Sequence, residues 1–565
     1  MLLRQLACIA AAFGPAFALP ADTADCASTG APLVRLDYAT YRGTRVAGGA
    51  VDQFLGVRFA RPPLGDLRWR APQGPSFEDK VQDASKFGHL CIGSGWSPPG
   101  ADVEGVSEDC LFANVFKPAH ATPASKLPVW VFIQGGGYAG NFNGNFNGSG
   151  VIQQSGGNIV FVNFNYRVGV FGFLASENVR NDGALNAGLL DEQIHQPGMI
   201  FVLERWSDTS TNTDMFFAPQ FGGDPKHVVI HGDSAGGGSV SYHMAAYGGN
   251  DKEDLFVAGI PESPFWPTQR TVDQMEFQYT RLLDDTECNS LDCLRKLDVH
   301  VLAKASFPLP FPGSHTGDPL PFWYWLPVID GHFVQDHMYA QFMSGRFKRV
   351  PMLVGDDTNE GTYFAPNAST ETEVLAFMRA NYPRLKEWQL ALVSIFYPKM
   401  DPMPKHAAYF PTAAAAYGDC TFTCVGNTMA DAVTLFVGHD KAWNYHYNVE
   451  DPDQVAQGLG VPHIAEIGAI FGPDNVRGQE QKSQRTTNAA IVPVTMAYFT
   501  SFVQFLDPNK KRHPGSPVWK NWGATGGGQG QRLRLVTNNT VMESVPDDLL
   551  KKCELWKFLS GSMDV

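Results

Sequence analysis

The chain has 565 residues, 44% hydrophobic and 18% charged, a balance that excludes a disordered polypeptide. Its 57 acidic residues outnumber 43 basic ones, giving a net charge of −14 with no Lys/Arg-rich run, so nucleic acid is excluded as a partner class. Beyond the N-terminus no stretch reaches the roughly 18 uninterrupted apolar residues of a membrane helix, and no membrane span is expected.

The first element is a leader. Arg4 precedes the apolar run LACIAAAF, and Ala16-Phe17-Ala18 offers a small-x-small cleavage site. Residues 1–18 therefore read as a secretory signal peptide, and the mature chain is expected to be extracellular. Losing Cys8 leaves Cys26, Cys91, Cys110, Cys288, Cys293, Cys420, Cys424 and Cys553. An even set in an oxidising compartment points to disulfides, and no paired Cys/His spacing of a zinc site appears, so neither metal nor cofactor is expected. Sequons at Asn147, Asn367 and Asn538 are candidate glycosylation sites.

VRLDYATYRG and DQFLGVRFA read as antiparallel opening strands. LPVWVFIQGGG is a buried strand ending in a glycine turn, and NIVFVNFNYRVG is a second apolar strand. The stretch GNFNGNFNGSG reads as a surface loop. HVVIHG is a third strand, followed by a glycine-flanked serine and the helix-like SVSYHMAAY. RVPMLVGDDTNEG is a fourth strand running into a polar loop, and GGGQG near 526 is another loop. This alternation predicts an α/β fold with a mostly parallel sheet, its functional loops at the carboxyl ends of the strands. With no internal repeat or long linker, residues 19–565 are expected to form a single domain despite their length.

Gly232-Asp233-Ser234-Ala235-Gly236, set between a strand and a helix, is the context in which G-x-S-x-G presents a nucleophile at a sharp turn. A serine needs a base, an orienting acid and an oxyanion site. The strand-end glycines Gly136 and Gly137, with Ala235, could supply backbone N–H donors. Ten histidines follow Ser234; His463, in the loop GLGVPH, is better placed as a base than His446, which reads as a packed strand residue. Glu360 could orient the imidazole, and on spacing alone Asp356 and Asp357 compete with it.

The chain resembles the type-B carboxylesterase/lipase family, the cholinesterase-like α/β-hydrolases, and most closely its secreted fungal esterases. The resemblance rests on SEDCLFANVF (107–116), QGGGYAGN (134–141), NIVFVNFNYRVGVFGFL (158–174), NAGLLDEQ (186–193), FGGDPKHVVIHGDSAGGGSV (221–240), LPVIDG (326–331), GDDTNEGTYF (355–364) and GVPHIAEIGAIFG (460–472). It implies an α/β-hydrolase fold, a large central sheet flanked by helices. It also implies a Ser234–Glu360–His463 triad with an oxyanion hole at Gly136, Gly137 and Ala235, which selects Glu360 over its aspartate neighbours. The resemblance further pairs Cys91 with Cys110 and Cys288 with Cys293, leaving Cys420–Cys424 and Cys26–Cys553 by elimination. The partner it implies is a small-molecule ester, and nothing in the sequence bears on oligomeric state.

The loop CIGSGWSPPGADVEGVSEDC is short, acidic and rich in Gly and Pro, without the apolar stripe of an interfacial lid, so soluble esters are expected over triacylglycerols. Trp96 could wall the alcohol side. Phe265 and Trp266 read either as acyl-pocket residues or as a core aromatic pair, and PFWYWLP (321–327) is open in the same way. Three departures from the family pattern stand out. Gln134 takes the place of a common His, Asp233 that of a common Glu, and the segment at about 194–220, broken by Pro197 and Gly198, replaces one compact helix. That segment is either a surface insertion or an artefact of the gene sequence. The competing functions are a serine esterase, a lipase, and a non-catalytic binding protein on the same fold. Retention of all three triad members favours the first.

Overall fold

The computed structural model describes residues 30–94, 104–193, 218–250, 254–476, 481–524 and 530–565. The expected leader 1–18, Cys26, Trp96, the GGGQG loop except Gly530, and residues 194–217 of the atypical segment lie outside the described residues.

The frame is an eleven-stranded sheet. Its strands in chain order are β1 (Thr44–Val46), β2 (Val51–Arg58), β3 (Phe112–Pro118), β4 (Leu127–Ile133), β5 (Val160–Phe164) and β6 (Gly223–Asp233). They continue with β7 (Ala258–Glu262), β8 (Met352–Asp357), β9 (Ala442–Tyr447), β10 (Gln531–Leu535) and β11 (Val541–Ser544). Across the sheet the order is β11-β10-β9-β8-β7-β6-β4-β5-β3-β2-β1. All neighbours from β10 to β5 are parallel, while β11 at one edge and β3, β2 and β1 at the other are antiparallel. This is the mostly parallel sheet that the strand alternation implies.

The parallel strands are apolar on both faces because helices cover both. In β4, Val129, Val131 and Ile133 enter the core on one face, while Trp130 and Phe132 enter the core on the other. The two opening strands part company. VRLDYATYRG folds on itself, pairing Leu33–Arg35 with Thr40–Arg42 in a separate small sheet, whereas DQFLGVRFA supplies β2.

Strand order reverses at β4, which lies between β5 and β6, so the carboxyl ends of β4 and β6 emerge side by side with Ile133 opposite Gly232. Such a switch point opens a crevice beyond the strand ends. Helix α1 (Ala235–Ala245) leaves β6 immediately and is buried along its whole length. A Cβ on Gly236 would collide with the Ile133 carbonyl, so only glycine lets α1 start this close to β4.

Farther along, α2 (Phe410–Gly418) and α3 (Cys424–Phe436) are joined without a break by a π-helical turn, Asp419–Thr423. The C-terminal helix α4 (Asp547–Met563) packs against α3. Disulfides join Cys91 to Cys110, Cys288 to Cys293 and Cys424 to Cys553. The last corrects the pairing reached by elimination. Cys420 and Cys424 lie on one continuous rod, and it is α4 that brings Cys553 to Cys424, leaving Cys420 as a buried thiol.

Candidate active site

Ser234 stands between the last residue of β6 and the first of α1, with φ 54° and ψ −120°. A non-glycine residue rarely adopts this conformation, and such strain clusters at functional turns. It is held by its own backbone: Ser234 N–H donates to the Glu262 carbonyl at 2.9 Å, and the Ser234 carbonyl accepts from Gly238 N–H at 2.8 Å and Phe265 N–H at 3.0 Å.

Glu360 opens a short turn just after β8, and a backbone bridge between Asn359 and Pro462 draws that turn against the loop carrying His463. Asn359 reinforces the bridge: its N–H donates to the Val461 carbonyl at 2.9 Å, and its Oδ1 accepts from Val461 N–H at 2.9 Å. Glu360 Oε2 is hydrogen-bonded to His463 Nδ1. Its other oxygen accepts from Ser263 Oγ at 2.7 Å and from Asp357 N–H at 2.8 Å. Each carboxylate oxygen therefore has a partner, and the imidazole is held at Nδ1.

The competing aspartates face elsewhere. Asp357 Oδ2 accepts from Ala465 N–H at 3.2 Å, and Asp356 lies 3.9 Å from the Arg532 guanidinium. Burial pushes both well above the usual carboxylate range. His446 sits in β9 and is bonded to Glu543 and Thr358, consistent with a strand residue.

His463 Nε2 is buried and has no hydrogen-bond partner among the described residues. Ser234 and His463 line one cavity of about 340 Å³, together with Gly135, Gly136, Gly137, Phe142, Asn143, Trp323, Tyr363, Phe364 and Ile464. Gly136 and Gly137 have φ of 126° and 60°. The Trp323 ring lies where a side chain at Gly137 would be, so this loop requires glycine on two grounds.

The loop from Gln134 to Gly137 is tethered at successive residues. The Gln134 carbonyl accepts from Tyr166 Oη at 3.0 Å, and its side chain donates to Asn165 Oδ1 at 3.0 Å. Gly135 N–H is shared between Asn143 Oδ1 and Asp233 Oδ1, both at 2.9 Å, and Asn143 Nδ2 donates to Asp233 Oδ2. Burial pushes Asp233 up to about 7, against the pull of the Asn143 bond and of nearby His463. Beneath the Ser234 turn, or elbow, His231 accepts at Nδ1 from Trp130 Nε1 (3.1 Å) and donates at Nε2 to Glu262 (2.7 Å). Burial drives His231 down to about 3, keeping the ring neutral.

Of the expected pocket residues, Phe265 and Trp266 are 1% and 0% exposed, and neither borders the cavity. The core reading holds for this pair. Phe265 stands behind Trp323, with ring centroids 5.5 Å apart, and Trp266 packs on Tyr339 at 5.1 Å. The wall is built by Trp323 from the ambiguous PFWYWLP cluster, and by Phe142, Tyr363 and Phe364, which sequence reasoning did not single out. Tyr363 and Phe364 follow Glu360 directly, and that adjacency was the available signal. Ser263 and Asn143 were also missed, because a hydroxyl and an amide carry no motif of their own. Of the sequons, Asn367 and Asn538 are exposed, while Asn147 is half-buried and the Ser149 of its sequon is buried.

The model of the carboxylesterase family matches residues 30–196 and 215–556, breaking inside the atypical segment. Secreted lipase 4 of Gibberella zeae is 28% identical, covering 93% of this chain and 92% of that protein. Lipase 2 of Geotrichum candidum is 32% identical over 82% of this chain and 85% of its own length. Among solved structures, Aspergillus niger EstA superposes with a TM-score of 0.86 at 49% identity, covering 95% of this chain and 99% of that one.

Proposed function

From the premise that this chain belongs to the carboxylesterase family and is a carboxylic-ester hydrolase, we propose that Ser234, His463 and Glu360 carry the reaction through an acyl-enzyme. His463 Nε2 removes the Ser234 proton as Oγ attacks the ester carbonyl, then returns it to the departing alcohol. Water, activated by the same nitrogen, releases the acid. Glu360 holds the imidazole at Nδ1 and stabilises the imidazolium formed in each transition state.

The N–H groups of Gly136, Gly137 and Ala235 are assigned to the tetrahedral oxyanion. Each such donor is worth about 3–4 kcal/mol in comparable sites. The observation that supports this reading best is the Glu360–His463 pair meeting a strained serine across one cavity.

The substrate class we infer is a soluble ester of modest size. The cavity holds about 340 Å³ and is walled by aromatic rings, and the loop between Cys91 and Cys110 is short. The names of the similar lipases keep a lipid-hydrolysing reading in view. A sharp rate increase at an oil–water interface would favour it. The secreted relatives and the leader-like residues 1–18 support secretion.

Ser234→Ala should lower turnover of a p-nitrophenyl ester by at least about 10⁴-fold, with unchanged thermal unfolding. Glu360→Gln should retain a measurable residual rate. Near-normal turnover in Ser234→Ala would refute the assignment, and a wild-type chain inert toward all esters would favour the binding-protein alternative.

A further inference from the structure

The π-helical turn between α2 and α3 has no role in the chemistry above, yet it lies against the Glu360–His463 pair. Gly418, the last residue of α2, abuts Glu360: an added Cβ would stand 2.7 Å from Gly361 N and 3.1 Å from Glu360 Cβ. Four residues on, Phe422 packs on His463 with ring centroids 4.2 Å apart and planes tilted by 37°. One rod thus bears on both members of the pair.

Rod placement is over-determined. Asp419 accepts from Tyr397 Oη at 2.8 Å, Tyr417 Oη accepts from Trp323 Nε1 at 3.1 Å, and Cys424 is tied to Cys553 on α4. π turns within α-helices are uncommon and recur at functional sites, where the extra residue re-aims a side chain.

The imidazole has a mechanical requirement that Glu360 alone does not meet. A hydrogen bond at Nδ1 fixes one ring atom but leaves the ring free to pivot, which would swing Nε2 away from Ser234. Phe364 meets the ring edge-on at 5.1 Å and borders the cavity, where substrate competes for its surface. Phe422 is 1% exposed and does not border the cavity, so its contact with His463 persists whether or not substrate is bound.

We propose that Phe422, presented by the π turn, is a positioning residue that fixes the plane of the His463 imidazole so that Nε2 stays aimed at Ser234. The inference rests on the triad reading above. A small misalignment of a reacting group costs about ten- to a hundredfold in rate.

The test is Phe422→Leu, which keeps apolar bulk and removes the flat face, with Phe422→Met as a second variant should Leu fail to fold. Rates are expressed per active site titrated with a fluorophosphonate, so misfolded chains do not count. The expected result is a kcat lowered about ten- to a hundredfold, with KM for p-nitrophenyl acetate within about twofold of wild type. The same factor should recur for the butyrate and octanoate esters. A kcat within twofold of wild type, or a loss expressed in KM or varying with acyl length, would overturn the proposal and assign Phe422 to packing or to the acyl pocket. Failure of the triad reading itself looks different: the wild-type chain would not be titrated, or its adduct would map to a residue other than Ser234.

Discussion

Asp233 shows how much one residue next to the candidate nucleophile is asked to do. Its carboxylate binds Gly135 N–H and Asn143, so the elbow and the glycine loop are held in fixed relation by a single side chain. Asp233→Ala should lower kcat by about 10- to 100-fold with little change in KM, measured on a short-chain p-nitrophenyl ester. A fall confined to KM would instead make Asp233 a ground-state contact. The same group has a stability signature. Its folded pKa of about 7 lies above the ordinary 3.8, so between roughly pH 4 and 7 the native state binds more protons than the unfolded chain. Stability contributed by this group therefore falls as pH rises through that window. Glu262, Asp357 and Glu466, pushed up by burial, act in the same direction. Asp233→Asn should narrow the difference between urea midpoints at pH 5 and pH 7, and an unchanged difference would contradict the assignment.

At the scale of elements, the strands and the elbow were legible because their signals are local. A strand buried on both faces is a short apolar run, and G-x-S-x-G needs only its two neighbours. Glu360 was legible as a loop residue after a strand and His463 as a residue of the loop GLGVPH, but their meeting depends on the Asn359–Pro462 bridge, which links residues more than a hundred positions apart. What escaped is non-local in the same sense. Trp323 against Gly137, and Cys424 bonded to Cys553 across a separation of 129 residues, follow from how elements pack, which elimination among the remaining cysteines does not capture. Phe265, open between pocket and core in the sequence, is separated from the cavity by Trp323, a contact that no local pattern announces. The disulfide is directly checkable. Cys424→Ser should lower stability by about 2–5 kcal/mol, read by urea denaturation, whereas Cys420→Ala should leave the disulfide map of the purified protein unchanged. Finding Cys420 linked to Cys424 would contradict the packing of α4 on α3.

For the whole molecule, one sheet spans from Thr44 to Ser544, so no strand boundary divides the described chain into separately sheeted halves. A single cooperative calorimetric transition is the expected outcome, and two resolved transitions would argue for separate domains. The family match breaks where residues 194–220 depart from the pattern. Tryptic peptides spanning that segment in the purified protein would establish it as a true insertion. If the chain is secreted, glycans are expected on Asn367 and Asn538, whose side chains are exposed, and not on half-buried Asn147. The central claim is that the strained serine at the end of β6 is the nucleophile, served by His463 and Glu360. Its most direct test is to react the intact protein with a fluorophosphonate and map the adduct by peptide mass spectrometry. One adduct per chain on Ser234, blocked by prior incubation with a slow ester substrate, is the predicted result; labelling at another residue, or none in a folded protein, would contradict it.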